Sequence, residues 1–294
     1  AWPEFEWRVR RPNFWPQRHY GFPIWDGGSL AKKTLLVHWE QGFGDILQFS
    51  RYLLLIRNLD APPAKLVFDC PAKLIPLFAD WTCLDAIGDF GDDPPKVDFF
   101  IPLMSLPGKL KTTLETIPAD TPYLANPLSD YVEVPPLART YLKVGIVWAS
   151  EHGASYRRKV CPIDEIASLF DMKDIAFYSL QFGEDAQELD AYTANENVIN
   201  LEKNLGGFDH TAAIIEQMDV ILSIDTYIVH LAGAMNIPAW IMLPYTPDWR
   251  WFLDRSDTPW YPSSRLFRQN TPGDWASVID NIRPELEVLV AENK

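Results

Sequence analysis

The chain has 294 residues, with 26 lysines and arginines against 40 aspartates and glutamates, a formal charge of −14 at pH 7. That length exceeds what one hydrophobic core usually organises and fits two domains of ordinary size. Apolar residues at 47% and charged residues at 22% exclude a disordered chain, and the acidic balance excludes broad binding to nucleic-acid backbones or anionic membranes, so any phosphate site must be local.

Short apolar runs alternate with helical stretches, as in βαβ units around a parallel sheet, and the pattern occurs twice. After a lead-in over residues 1–30, Thr34 to Trp39 reads as a buried strand and Asp45 to Leu59 as a helix. Lys65 to Cys70 reads as a strand, Pro71 to Trp81 as a helix and Val97 to Leu103 as a closing strand. Residues 117 to 140 are rich in proline and poor in periodicity, as a domain linker is. Strands then return at Val144 to Ala149, Ala176 to Leu180, Val198 to Leu201, Val220 to Ile224 and Ala239 to Leu243. Helices such as Ile163 to Phe170 and Thr211 to Met218 separate them, and Asp274 to Ala291 forms a terminal helix free to pack on either half. The division expected is residues 1–139 and 140–294.

Cys70, Cys83 and Cys161 are odd in number and widely spaced, which fits neither a disulfide framework nor a zinc site and points to a reducing, cytoplasmic compartment. No apolar run approaches the roughly 18 residues of a membrane span, and the charged, aromatic N-terminus is unlike a signal peptide. The chain starts at Ala1 rather than methionine, as a processed or truncated piece of a longer protein would.

Four segments carry chemistry. VILSIDTYIVHLAGAMNIPAWIML runs from a strand into Asp225 and Thr226 and then a helix from about Tyr227 to Met235. Asp-Thr is a helix N-cap, so backbone N–H groups and the positive end of the helix dipole would face the space beyond the strand, where α/β proteins bind anions. A diphosphate suits that position, and so does a cap with no further task. His230, a turn into the helix, fits a ligand contact or a histidine satisfied within the core.

In HWEQGFGDILQF, Gly42 and Gly44 loosen the turn after a strand and Asp45 opens a helix at the edge of the first half. Its carboxylate can take a proton from a hydroxyl there, or merely cap the helix. SYRRKVCPIDE places Arg157, Arg158 and Lys159 after the Val144 to Ala149 strand, either to neutralise a leaving phosphate or as a solvated loop. LPYTPDWRWFLDRSDTPWYPSSRLFRQ sets Trp249, Trp251, Trp260 and Tyr261 among prolines and arginines, text that lines a cleft or buries a long connection.

Seven stretches occur together and in order: EQGFGDILQFSRY, DTPYL, KVGIVW, FYSLQ, DVILSIDTYIVHLAGAMNIPAWIMLP, PDWRWFLDRSDTPWYP and RLFRQ, covering about Lys33 to Trp275. On them the chain resembles the heptosyltransferase-like family of GT-B glycosyltransferases, in particular the bacterial branch that often carries this module behind tetratricopeptide repeats. The resemblance implies an α/β GT-B fold, two Rossmann-like domains with parallel sheets facing across a cleft. The first would take the acceptor and the second the nucleotide-sugar donor.

The resemblance makes Asp45 the general base and assigns Asp225, Thr226 and His230 to the donor site. Lys159, three positions before Pro162, would serve the diphosphate, with Arg158 as the alternative. Gln181 resembles a position on the donor side of the cleft, and Gly42, Gly44, Tyr227, Trp249 and Arg250 would line it. Tyr227 stands where the family generally has a small residue, and its ring would narrow the phosphate site. No metal or other cofactor is expected, since no D-x-D motif lies near the donor strands.

The implied reaction is a single displacement that inverts the anomeric centre. ADP-heptose, UDP-sugars and CMP-sugars all remain open as donors, and the acceptor is a glycan or a protein. A module of the same fold that binds a nucleotide or glycan without transfer is the alternative. An NAD-dependent dehydrogenase is disfavoured because EQGFGDIL lacks the third glycine of the dinucleotide-binding turn.

Overall fold

The computed structural model describes residues 2–11, 20–91, 93–128, 132–136, 142–150, 159–192 and 194–294. Their strands form two sheets in which every paired neighbour runs parallel. The first holds β1 (Thr34–His38), β2 (Lys65–Asp69), β3 (Ala86–Gly88) and β4 (Phe99–Pro102), in the order β3-β2-β1-β4. The second holds β5 (Leu142–Val147), β6 (Ile175–Ser179), β7 (Val198–Asn200), β8 (Val220–Ile224), β9 (Ala239–Leu243) and β10 (Ser264–Arg268). Its order is β10-β9-β8-β5-β6-β7. Read from β7, this is the doubly wound order in which the chain reverses direction between the first and fourth strands, here β5 and β8. The first sheet has the same reversal between β1 and β4.

The helices are α1 (Trp2–Phe5), α2 (Phe43–Phe49), α3 (Arg51–Ile56), α4 (Leu106–Lys109), α5 (Ile163–Ala167), α6 (Phe208–Ile215), α7 (Tyr227–Ala234) and α8 (Trp275–Glu292). The single helix expected from Asp45 to Leu59 begins two residues earlier and is divided at Ser50, whose hydroxyl donates to the Leu47 carbonyl at 2.9 Å. Pro71 to Trp81 is not an α-helix. Pro71 and Pro76 supply no N–H, and the segment closes with three-residue turns, Leu74 N–H to the Pro71 carbonyl at 2.8 Å and Ala79 N–H to the Pro76 carbonyl at 3.3 Å. Two strands were not expected. β3 is three residues long, and β10 is an edge strand whose Arg265 lies over Trp240 and Phe267 while bonding Glu285.

Strands β8 and β9 are buried on both faces, as a covered parallel sheet requires. Val220, Leu222, Ile224 and Met242 share one cluster with α5 and with Val278, Ile282 and Leu286 of α8, so the terminal helix packs on the second sheet. Ile221, Ala239, Ile241 and Leu243 face the other way, into a cluster that continues through α7 into α2 and the first sheet. The two halves therefore share one core.

Arg51 pins that junction. Its buried guanidinium donates to the carbonyls of Pro118 at 2.8 Å and Trp260 at 2.5 Å and to the Tyr123 hydroxyl at 2.9 Å. The proline-rich connection is bound on its other side too, with Tyr123 N–H and Leu124 N–H donating to the Ala234 carbonyl at 2.9 and 3.1 Å. Among the described residues no helix is long and apolar enough to cross a membrane, and the three cysteines are free thiols.

Candidate functional site

The reversal point of each sheet ends in a turn that feeds a helix N-terminus, and the two turns face each other. Beyond β1 the left-handed residue is Gln41, with φ 63°, whereas Gly42 is extended. The glycine needed for space is Gly44. A Cβ there would lie 2.8 Å from Cδ2 of His230 in α7, so the two helices touch only because the residue has no side chain. Asp45, the third residue of α2, accepts the Gly42 N–H at 3.0 Å through Oδ2. Its Oδ1 accepts from Nη2 of Arg250 at 2.5 Å, an ion pair joining the two halves.

In the second half Thr226 is the N-cap of α7, its hydroxyl accepting the Ile228 N–H at 3.3 Å. Asp225 stands just before it, buried, and accepts from Lys159 Nζ at 2.5 Å. This pairing joins the end of β8 to the loop after β5, at the position where doubly wound sheets hold ligands. Burial alone would raise the Asp225 carboxyl, but Lys159 and Arg250 outweigh it and hold the group below the usual carboxylate range.

His230 lies with Nε2 3.8 Å from Asp225 Oδ1. Burial first, and then the charge of Arg250, push its imidazole down to about 3, so the ring is neutral at neutral pH. Nδ1 is 2.9 Å from the Tyr261 hydroxyl, and the ring stacks on Trp251 at 5.5 Å and 20°. Gly233 makes this possible, because a Cβ there would enter the Tyr261 ring at 2.4 Å.

The Asp45–Arg250 and Asp225–Lys159 pairs and the neutral His230 thus lie together across the junction, with Arg250 close enough for its charge to act on Asp225. Trp249 packs beside them and stays 45% exposed. Tyr227 is half-buried, its ring against Phe208 at 4.9 Å, and Phe208 in turn meets Phe43 of α2 at 4.8 Å. Gln181 Oε1 accepts the N–H groups of Trp148 at 3.2 Å and Ala149 at 2.9 Å, tying off the end of β5. Arg157 and Arg158 lie outside the described residues.

Several participants carried an ambiguous signal in the sequence or none. Tyr261 and Trp251 sit in text that reads equally as a buried connection. Glu40, fully buried behind Asp45, is bound by Arg8 at 2.6 and 3.0 Å and by the Met104 N–H at 2.8 Å. Burial pushes the Glu40 carboxyl up and these bonds draw it back. A glutamate beside a glycine turn and an arginine 32 residues earlier offer no pattern that pairs them.

No protein-family model matches the sequence, and no curated protein matches it significantly. Solved structures do match in fold. The glycosyl transferase family 9 protein from Veillonella parvula DSM 2008 superposes with a TM-score of 0.63 at 12% identity, covering 90% of this chain and 99% of its own. E. coli ADP-heptose lps heptosyltransferase II gives 0.58 at 15% identity, over 88% and 99%. E. coli heptosyltransferase WaaC with ADP gives 0.57 at 12% identity, over 88% and 99%. The fold of this chain is the α/β GT-B fold of these heptosyltransferase-like proteins, with one parallel sheet in each half.

Proposed function

We propose that the chain is an inverting, metal-independent glycosyltransferase that moves a sugar from a nucleotide-sugar donor to a hydroxyl of a glycan or protein acceptor. The observation that supports this most is the meeting of two reversal points at one junction, a partly exposed carboxylate from the first half against a helix N-terminus and cations from the second. Asp45 would take the acceptor proton as its oxygen attacks the anomeric carbon. The bond from that carbon to the diphosphate breaks, and its electron pair leaves on the nucleotide. The α7 N-terminus with Lys159, or Arg158, would stabilise that charge without a metal. Asp45 is held by Arg250 through one bond to Oδ1, so the acceptor hydroxyl would take a remaining lone pair of the carboxylate or displace that guanidinium.

The donor class is open to a direct test, with adenosine diphosphate conjugates first because WaaC is described with ADP and with ADP-2-deoxy-2-fluoro heptose. A thermal-shift screen of ADP, UDP, GDP, CMP and their sugar conjugates, run beside Asp225→Ala, should show a selective rise in midpoint that the variant loses. No shift with any nucleotide would sink the donor site.

A second reading, a binding module without transfer, draws on the two bonds that occupy both oxygens of Asp45. It requires a nucleotide shift with no donor turnover for any acceptor. The setting expected for either is the cytoplasm, to which three free thiols are suited.

A further inference from the structure

Residues 2–10 belong to neither sheet, yet they support the candidate base from two sides. They form α1 and a tight helical turn over Glu6–Arg10. Arg8 in that turn is buried, and each of its five N–H donors has an acceptor. Nε and Nη2 reach the two oxygens of Glu40 at 3.0 and 2.6 Å, and Nη2 also reaches the Ser105 hydroxyl at 2.8 Å. Nη1 reaches the Phe5 carbonyl at 3.3 Å and the Glu6 carboxylate at 2.9 Å. The Ser105 hydroxyl donates to Glu6 in turn at 2.9 Å, which closes the network.

Glu40 lies in the turn that carries Asp45. It follows the end of β1 by two residues and precedes Gln41, whose φ of 63° a side chain keeps only where its surroundings enforce it. Glu40 supplies that hold, bound by Arg8 on one side and by the Met104 N–H at 2.8 Å on the other. The residue after Gln41 is Gly42, whose N–H meets Oδ2 of Asp45 at 3.0 Å.

The same segment supports the partner of the other oxygen. The rings of Trp2 and Phe5 meet that of Trp249 at 6.2 and 5.6 Å, and Trp2 Nε1 is fixed by the Thr112 carbonyl at 2.6 Å. Trp249 adjoins Arg250, which donates to Oδ1 of Asp45 at 2.5 Å. Both oxygens of one carboxylate are therefore bound by groups that residues 2–10 hold in place.

We infer that Arg8 is a positioning residue for Asp45, acting through Glu40 on the turn that aims the carboxylate. Its importance for turnover rests on the reading of Asp45 as base. Glu40 is near enough to Asp45 for their charges to repel, and the Arg8 cation offsets that repulsion. A planar guanidinium can bind both Glu40 oxygens at once and keep its other N–H groups for Ser105, Glu6 and Phe5, which the compact ammonium of a lysine cannot.

The test is amide hydrogen exchange, followed by NMR on the full chain. Arg8→Met alone leaves a buried carboxylate without its cation and can unfold the protein, so Arg8→Met/Glu40→Gln, which removes both charges at similar volume, is measured beside it. In the double variant the Gly42 N–H should exchange about tenfold faster or more, while the Ile221 N–H, bonded to the Pro238 carbonyl in the second sheet, keeps its rate. Arg8→Lys, which keeps the charge without the fork, should fall between the double variant and the wild type. With ADP-glucose and UDP-glucose as donors, nucleotide release at saturation should fall about a hundredfold in the double variant with KM unchanged, since the donor half is untouched. A Gly42 rate within about twofold of wild type overturns the inference, and so does an acceleration that Ile221 shares equally, the mark of a general loss of stability. Release at the wild-type rate overturns it as well. Where neither conjugate is turned over, the exchange contrast alone decides. The reading of Asp45 as base fails by a separate result, unchanged release in Asp45→Asn, which leaves the exchange contrast standing.

Discussion

The α2 and α7 N-termini are the same device placed in opposite surroundings. Each follows the strand at which its sheet reverses direction, each carries an aspartate near its first turn, and each aspartate accepts from a cation 2.5 Å away. Asp45 lies inside the first turn with 15% of its side chain in water, bound by an arginine from the other half. Asp225 lies just before the cap with 4% exposed, bound by a lysine of its own half. One carboxylate has a route to solvent and a counter-charge from the other half, whereas the other is an internal anion paired within its own half. Local architecture alone therefore does not tell these aspartates apart; burial and the origin of the counter-charge do.

Removing the candidate base tests that contrast most severely. Asp45→Asn should lower donor turnover about 10²–10⁴-fold while leaving the nucleotide thermal shift in place, and an unchanged turnover would exclude Asp45 as base. Next comes the cation between the two carboxylates. Arg250→Met should cost about 3–5 kcal/mol in urea denaturation, since it leaves Asp45 and Asp225 with less counter-charge at a largely buried site. Gly44→Ala should cost about 1–3 kcal/mol, because its Cβ must push His230 and α7 away from α2; a neutral result would mean that the halves close less tightly.

His230 gives a signature that depends on pH. The unfolded ring binds a proton below about 6.5 and the native ring only near 3, so between those values the unfolded state holds the extra proton and stability falls as pH falls. His230→Gln should flatten the acid limb of a stability profile in that window by about 1.4 kcal/mol per pH unit. Arg265→Ala, which breaks an exposed pair with Glu285, should change stability by no more than about 1 kcal/mol and serves as the baseline.

Much of this was legible from residue order. The β8 strand, the Asp-Thr cap and α7 follow from an apolar run that meets a capping pair and then a helical period, all within 15 residues from Val220 to Ala234. The β1 turn and Asp45 were legible for the same reason, although the positive φ fell on Gln41 and not on a glycine. Pro71 to Trp81 misled because its apolar spacing suits a helix while its prolines do not.

Local pattern by itself therefore determined the two parallel α/β halves and the helix caps that offer Asp45 and Asp225 as candidates, because each depends on neighbours within a few residues; the choice of Lys159 from its basic run came from the family resemblance. Only the tertiary structure decided that Arg250 pairs with Asp45 across 205 residues, that Gln181 serves the end of β5, that Tyr261 fixes His230, and that Gly44 is small for the sake of α7. Those contacts join distant parts of the chain, and their strength comes from burial at the junction of the halves, a property that no run of adjacent residues contains.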